Sequence, residues 1–265
     1  MPATYAHFKY GRLVYSRLPK EEREIIKESR DTRAAYLIGL HGPDLLFYYR
    51  CLYFNRINKL GGKMHREEAA VFFEHGREVY RESGDKVLLS YLFGFMCHFI
   101  LDSECHPYIN MYMGNHDVGH LGIETDFDRY LMEEDGLDPV CNDCTRHLRR
   151  NKAVSRAISS VMDDVSPEKI DECIRWFRFV IRFFQCPRKA KGRFLKGFCR
   201  LIGQKDSLGA LVMTGVPDPE CMNSRIFLRN RMEECVDTAA HEIDAYYQDI
   251  KTGAALSPRL ERDFD

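Results

Sequence analysis

KVLLSYLFGFMCHFILDS, residues 86–103, decides the fold class. Apolar side chains fall on nearly every face of a helix drawn through it, which is the pattern of a core helix. Outward from it the periodicity stays helical. Residues 66–82 (REEAAVFFEHGREVYRE) form a second long helix, 20–33 (KEEREIIKESRDTR) a charged surface helix, and 34–41 (AAYLIGLH) a buried segment ending at Gly42-Pro43. Ser166-Pro167-Glu168 is a helix start, with a capping hydroxyl, a first-turn proline and an acid at the positive end of the dipole. That helix runs to about Gln185, ahead of Pro187; others follow at 189–202 and about 224–251. Strand-like alternation is almost absent, so the chain is expected to be all-α.

Composition narrows the function classes. The chain has 265 residues, is 45% hydrophobic and 30% charged, and carries a net charge of -1, so no global field points to nucleic acid or membrane. No run of about 18 consecutive apolar residues occurs, and none is expected to span a bilayer. The first residues, MPATYAHFKYGRLVYSRLPKEERE, lack the apolar run and cleavage site of a secretory signal. Reduced thiols are therefore expected of the ten cysteines, Cys141-Asn-Asp-Cys144 included, and the expected address is cytoplasmic. Eight of the ten histidines precede residue 121. One helical domain is expected, with a metal-site half at 1–137 and a helical extension at 138–265 packing on it.

The chemistry-bearing stretch begins inside the core helix. It reads His98-Phe-Ile-Leu-Asp102-Ser-Glu-Cys-His106, then His116-Asp117-Val-Gly-His120-Leu-Gly-Ile-Glu124. His98/Asp102 and His120/Glu124 are four positions apart, so on a helix each pair stacks on one face. Converging nitrogen and carboxylate donors suit a borderline divalent ion, zinc first. Upstream, Gly42-Pro43 presents Asp44 from a rigid corner, His65 follows the flexible pair Gly61-Gly62, and His7 lies near the start. A lone histidine is more often a hydrogen-bonded core residue than a ligand, so these three carry weight only together.

In the order His7, Asp44, His65, His98-x3-Asp102, His106, His120-x3-Glu124, the chain resembles the zinc-dependent phospholipase C family, whose relatives include nucleases of the P1 and S1 type. The resemblance covers residues 1 to about 135. Its most specific pieces are His98-x3-Asp102, Gly119-His120-x3-Glu124-Thr125 and the Pro43-Asp44 corner. It implies a multi-helical bundle with a cluster of two or three zinc ions in the N-terminal half. Asp44, His65, His98 and Asp102 would then hold one zinc. His120 and Glu124 would hold a second with His106, and Asp102 would bridge to a third that His7 also binds. The resemblance also implies that Asp44 orients or deprotonates the attacking water.

Two departures matter. In secreted members the third ion takes the terminal amine of a mature tryptophan, whereas the one tryptophan here is Trp176. Removal of Met1 would leave the amine of Pro2 as the replacement ligand. His106 lies four residues after Asp102, where secreted members usually have six. Four keeps it on the same helical face, and Pro107 is expected to end that helix. His116, in the loop Gly114–Gly119, is the alternative donor; His106 is preferred for its fixed position.

The expected function is a zinc-dependent hydrolase of phosphodiesters, phospholipase C-like, acting through metal-activated water. Phospholipid and single-stranded nucleic acid are both open as substrates. Residues 188–202, RKAKGRFLKGFCRLI, hold six cations and no acid. Lys189, Arg193, Lys196 and Arg200 share one side and are candidate substrate contacts, while Phe194, Phe198 and Leu201 lie on another. Such a helix either packs its apolar side into the core or lies on an anionic membrane surface or other polyanion. Two further readings stay open. One is a phosphohydrolase built on the adjacent pair His116-Asp117; the other is a non-catalytic protein that keeps zinc for structure.

Overall fold

Residues 4–51, 53, 55–162 and 164–264 are described by the computed structural model. Thirteen α-helices occur among them: α1 (Thr4–Arg17), α2 (Lys20–Lys27), α3 (Arg30–Gly39), α4 (Asp44–Phe47), α5 (Arg56–Arg66), α6 (Ala69–Ser83), α7 (Lys86–Met113), α8 (His120–Glu134), α9 (Lys152–Ser159), α10 (Pro167–Phe184), α11 (Lys189–Leu201), α12 (Met222–Glu234) and α13 (Val236–Thr252). The β-structure among the described residues is a single bridge between Gln185 and Met213. The protein is all-α.

Local chemistry explains where the helices differ from the periodicity. The charged run at 20–33 is two helices, because the Ser29 hydroxyl accepts from the Thr32 amide and the Thr32 hydroxyl returns the bond, a capping box that restarts the chain at α3. The double glycine ahead of His65 is not flexible. It lies inside α5, which Asn55 starts by accepting from the amides of Ile57 and Asn58. The last helix breaks at Cys235, whose carbonyl takes a bond from the Tyr10 hydroxyl at 2.8 Å.

Pro107 does not end the core helix; α7 continues to Met113. Proline has no N–H to give the carbonyl four residues back, which is that of Ser103. Arg262 donates to that carbonyl instead, at 2.6 Å, so the break in the ladder is repaired from outside. By length and composition α7 could cross a membrane, but 89% of its apolar stretch is buried within the protein, as in a core helix.

The helices gather into two compact units, each assembled from separated stretches. One holds the described residues of 4–6, 104–146 and 178–233; the other holds those of 7–103, 147–177 and 234–264. In the second unit, α3 and α7 cross with their backbones in contact. A Cβ on Gly94 would lie 2.2 Å from the Tyr36 carbonyl oxygen, and one on Gly39 would lie 2.3 Å from that of Tyr91. Glycine at both crossing points brings the chain after α3 against the next turn of α7, where His98 sits.

Candidate metal centre

In the unit containing residues 7–103, five donors converge. His98 Nε2 lies 3.1 Å from Asp102 Oδ2, and His7 Nε2 lies 3.2 Å from Asp102 Oδ1. His65 Nε2 lies 3.1 Å from Asp44 Oδ1. They form two groups, His7–His98–Asp102 and Asp44–His65–His98, in each of which one ligand atom per residue lies within 4.8 Å of the others. His98 belongs to both. All five residues are buried.

The corner at Gly42-Pro43 makes this convergence possible. Gly42 has φ +45°, and a Cβ there would meet His98 Cδ2 at 2.2 Å, so only glycine lets the corner close on the imidazole. Asp44 then becomes the first residue of α4, its amide bonded to the His41 carbonyl at 3.0 Å. Buried Asn58 docks α5 beside it by donating to the carbonyls of Leu46 (2.9 Å), Phe47 (2.9 Å) and Tyr49 (3.0 Å). This sets His65, two turns along α5, against Asp44. The His65 Nδ1–H donates to the Gly61 carbonyl at 2.9 Å, which leaves Nε2 as the nitrogen facing Asp44.

The other unit holds a third group, His106, His120 and Glu124. Glu124 Oε1 lies 3.3 Å from His120 Nε2 and 3.7 Å from His106 Nε2, with the imidazoles edge to face at 4.7 Å. His120 is the first residue of α8, after Gly119, and Glu124 is one turn on. Asp128, a further turn along, accepts from the amides of Tyr5 (3.0 Å) and Ala6 (2.8 Å) and so caps the start of α1.

These donors fit a divalent metal. Two ligands about 2.0–2.2 Å from a tetrahedral zinc sit roughly 3.3–3.6 Å apart, close to the 3.1–3.3 Å between a paired imidazole and carboxylate in each group. Nδ1 of His7 and Nδ1 of His98 are buried without a hydrogen-bond partner among the described residues, and Nε2 of His65, of His98 and of His120 face the carboxylates of Asp44, Asp102 and Glu124. A buried nitrogen left without a partner is costly, and ligation would satisfy it. Charge points the same way. Burial pushes the Asp44 carboxyl up, but nearby positive charge, then the hydrogen bond from His65 and the neighbouring His98, outweigh it, and its pKa is lowered. Glu124 likewise is opposed by burial yet held well below the carboxylate range by nearby positive charge and then by His120 and His106. Burial lowers His98, favouring the neutral imidazole that binds metal. His65 is raised, because its bond to Asp44 outweighs burial.

The remaining expected residues are placed as follows. Pro2 lies outside the described residues. His116 Nδ1 donates to the Tyr112 carbonyl at 3.0 Å and its ring stacks on Tyr112 at 3.7 Å; it joins none of the three donor groups among the described residues. Its neighbour Asp117 is exposed and faces Lys205 at 3.9 Å. Lys196 and Arg200 line a cavity of about 250 Å³ with Lys205, Asp117, Asp206 and Asp218; Lys189 and Arg193 do not. Cys141 is exposed, Cys144 is buried, and neither joins a donor group among the described residues.

Three features had no signal in the motif. Phe264 packs on His65 at 5.1 Å and on His98 at 5.8 Å, and its amide donates to the His65 carbonyl at 3.2 Å. His41 and His147 meet through their Nε2 atoms at 2.7 Å, with His41 held well below its ordinary pKa by burial and then by His147. Asn58 lacked a signal because its partners are backbone carbonyls. Asp128 was legible in principle: it extends the four-residue spacing of His120 and Glu124 by one more step.

An all-helical protein with buried imidazoles and carboxylates grouped at ligand spacing, one imidazole common to two groups, is of the class that holds divalent metal in its core. The family model of zinc dependent phospholipase C matches residues 6–177, more than half of the chain, and the chain belongs to that family. No curated protein and no solved structure matches it. The match runs well past residue 135, where the sequence resemblance stops. The added stretch includes 147–177, which folds in the same unit as residues 7–103 and brings His147 and Phe177 against His41.

Proposed function

We propose that the chain hydrolyses a phosphodiester bond of a phospholipid, with two or three zinc ions held by His7, Asp44, His65, His98, Asp102, His106, His120 and Glu124. The observation that carries this is the set of three buried carboxylates, each facing imidazole nitrogens at ligand spacing. Bound zinc would supply Lewis acidity and a water acidic enough to act as hydroxide near neutral pH. His98 and Asp102, one turn apart on a packed helix, fix the geometry of the donors. Asp44, kept ionised, accepts the proton of the attacking water. Phe264 covers His65 and His98 on the apolar side, keeping bulk water from the donors. Lys189, Arg193, Lys196 and Arg200 contact the anionic substrate. We place its action in the cytoplasm.

The test couples a metal count by plasma emission to turnover of a water-soluble chromogenic phosphodiester. Bound zinc with turnover that Asp44→Asn abolishes is the expected result. Zinc without turnover would leave a structural metal site and overturn the hydrolase reading. Cleavage of single-stranded nucleic acid in preference to phospholipid would reassign the substrate.

A further inference from the structure

α11 turns its largest side chains outward. Gly192, Leu195 and Cys199 form its buried stripe, whereas Phe194 is 70% exposed, Phe198 49%, Leu201 83% and the following Ile202 46%. This reverses the arrangement in which the phenylalanines pack into the core and leave only a basic face to water. Two residues of the preceding helix, Phe179 and Phe183, are exposed as well. Lys191 joins the two sets: its ammonium lies 4.9 Å from the centre of the Phe183 ring, and it donates to the Gln185 carbonyl at 3.2 Å. The result is two exposed aromatic pairs within one unit, Phe179 with Phe183 and Phe194 with Phe198, the second flanked by exposed Leu201. Large apolar side chains grouped on the surface in this way mark an interaction site rather than ordinary surface.

The charges decide the occupant. Residues 188–202 contain six cations and no acid. At 100° per residue, Lys189, Lys196, Arg200 and Arg193 fall together on one flank of α11, and Leu201, Phe194 and Phe198 fall on the side facing away from the buried stripe. Stacking of nucleic acid bases would need the rings interleaved with the cations. Segregation into an outward apolar face beside a cationic flank is instead the form of a helix lying in the plane of a lipid surface, rings at the headgroup boundary and cations toward anionic headgroups.

We propose that α11, with Phe179 and Phe183, is a docking surface for an anionic lipid bilayer. The surface lies beyond residue 177, outside the segment that defines the family, and its action does not require phosphodiesterase activity.

Flotation of the full chain with vesicles of phosphatidylcholine alone, or with phosphatidylserine added, tests it. Binding is expected to vesicles containing phosphatidylserine and to weaken as salt rises through 0.1–0.5 M. Phe194→Ala and Leu201→Ala, both at exposed positions, are each expected to weaken binding roughly tenfold. Neither should change zinc content, helicity or turnover of the water-soluble phosphodiester, so failure of docking and failure of the hydrolase reading are separable. Arg193→Glu should remove the preference for phosphatidylserine. The proposal is overturned by equal binding of wild type and the alanine variants. It also falls if Phe194→Ala instead abolishes self-association or binding to single-stranded nucleic acid.

Discussion

At the scale of the residue, His98 belongs to two donor groups while His120 belongs to one. A neutral imidazole ligates one ion through one nitrogen, so His98 serves either group but not both at once. His98→Ala should release about as much zinc per chain as His120→Ala, read by plasma emission on variants with unchanged circular dichroism; full zinc retention in either variant would remove that residue from the ligand set. Protonation supplies a second expectation. His65 is raised above its ordinary value of about 6.5, so in chelator-treated protein its pairing with Asp44 stabilises fully below that value and is lost as pH rises through the raised pKa. Metal binding must displace the same proton, so zinc affinity at the Asp44–His65–His98 group should climb from pH 6 to pH 8. Competition with a chromophoric chelator measures it, and a flat profile would show that His65 keeps no proton to lose. Both pairs at four-residue spacing were legible from the chain, since an α-helix maps that spacing onto one face whatever surrounds it. The tautomer of His65 was not, because the Gly61 carbonyl that sets it is a backbone group with no signature of its own.

At the scale of the element, a few polar side chains decide which helices exist and where they stop. Asn58 holds three carbonyls at the end of α4 and so seats α5. Asn58→Ala should destabilise the fold by about 1–3 kcal/mol in urea titration, because it strands buried acceptors. It should also cost zinc at Asp44–His65–His98 while His106–His120–Glu124 retains its own; parallel loss from both would refute a local role. Asp128→Ala removes the cap that receives the Tyr5 and Ala6 amides and should cost about 1–2 kcal/mol, localised by hydrogen exchange to the start of α1. Core helix α7 and the start of α10 were readable from periodicity and capping. The passage of α7 through Pro107 was not, since it depends on Arg262, 159 residues beyond Ser103 in the chain. The outward phenylalanines of α11 escaped for a related reason. Periodicity shows that apolar residues share a side, but not which side meets the protein.

At the scale of the whole molecule, metal and fold are coupled. Ions that bind the native but not the unfolded chain stabilise it by mass action, about 2.7 kcal/mol when free metal is a hundredfold above Kd. Chelation should therefore lower the melting temperature, and added zinc should restore it, in a calorimetric scan of the full chain. An unchanged transition would mean that the donors hold no structural metal. Each compact unit is stitched from segments far apart in sequence, and residues 147–177, which contribute none of the donor groups among the described residues, share a unit with residues 7–103 and fall within the family match. The amino-acid sequence by itself determined the all-α class, the candidate donor residues and their spacing along helices, because these follow from short-range spacing and side-chain chemistry. Only the tertiary structure decided which donors meet, how Gly42 admits His98, what Phe264 covers and which face of α11 is left to water. Those outcomes depend on contacts between segments well separated in the chain, from 21 residues between Asp44 and His65 to 199 between His65 and Phe264, where packing has no periodic trace.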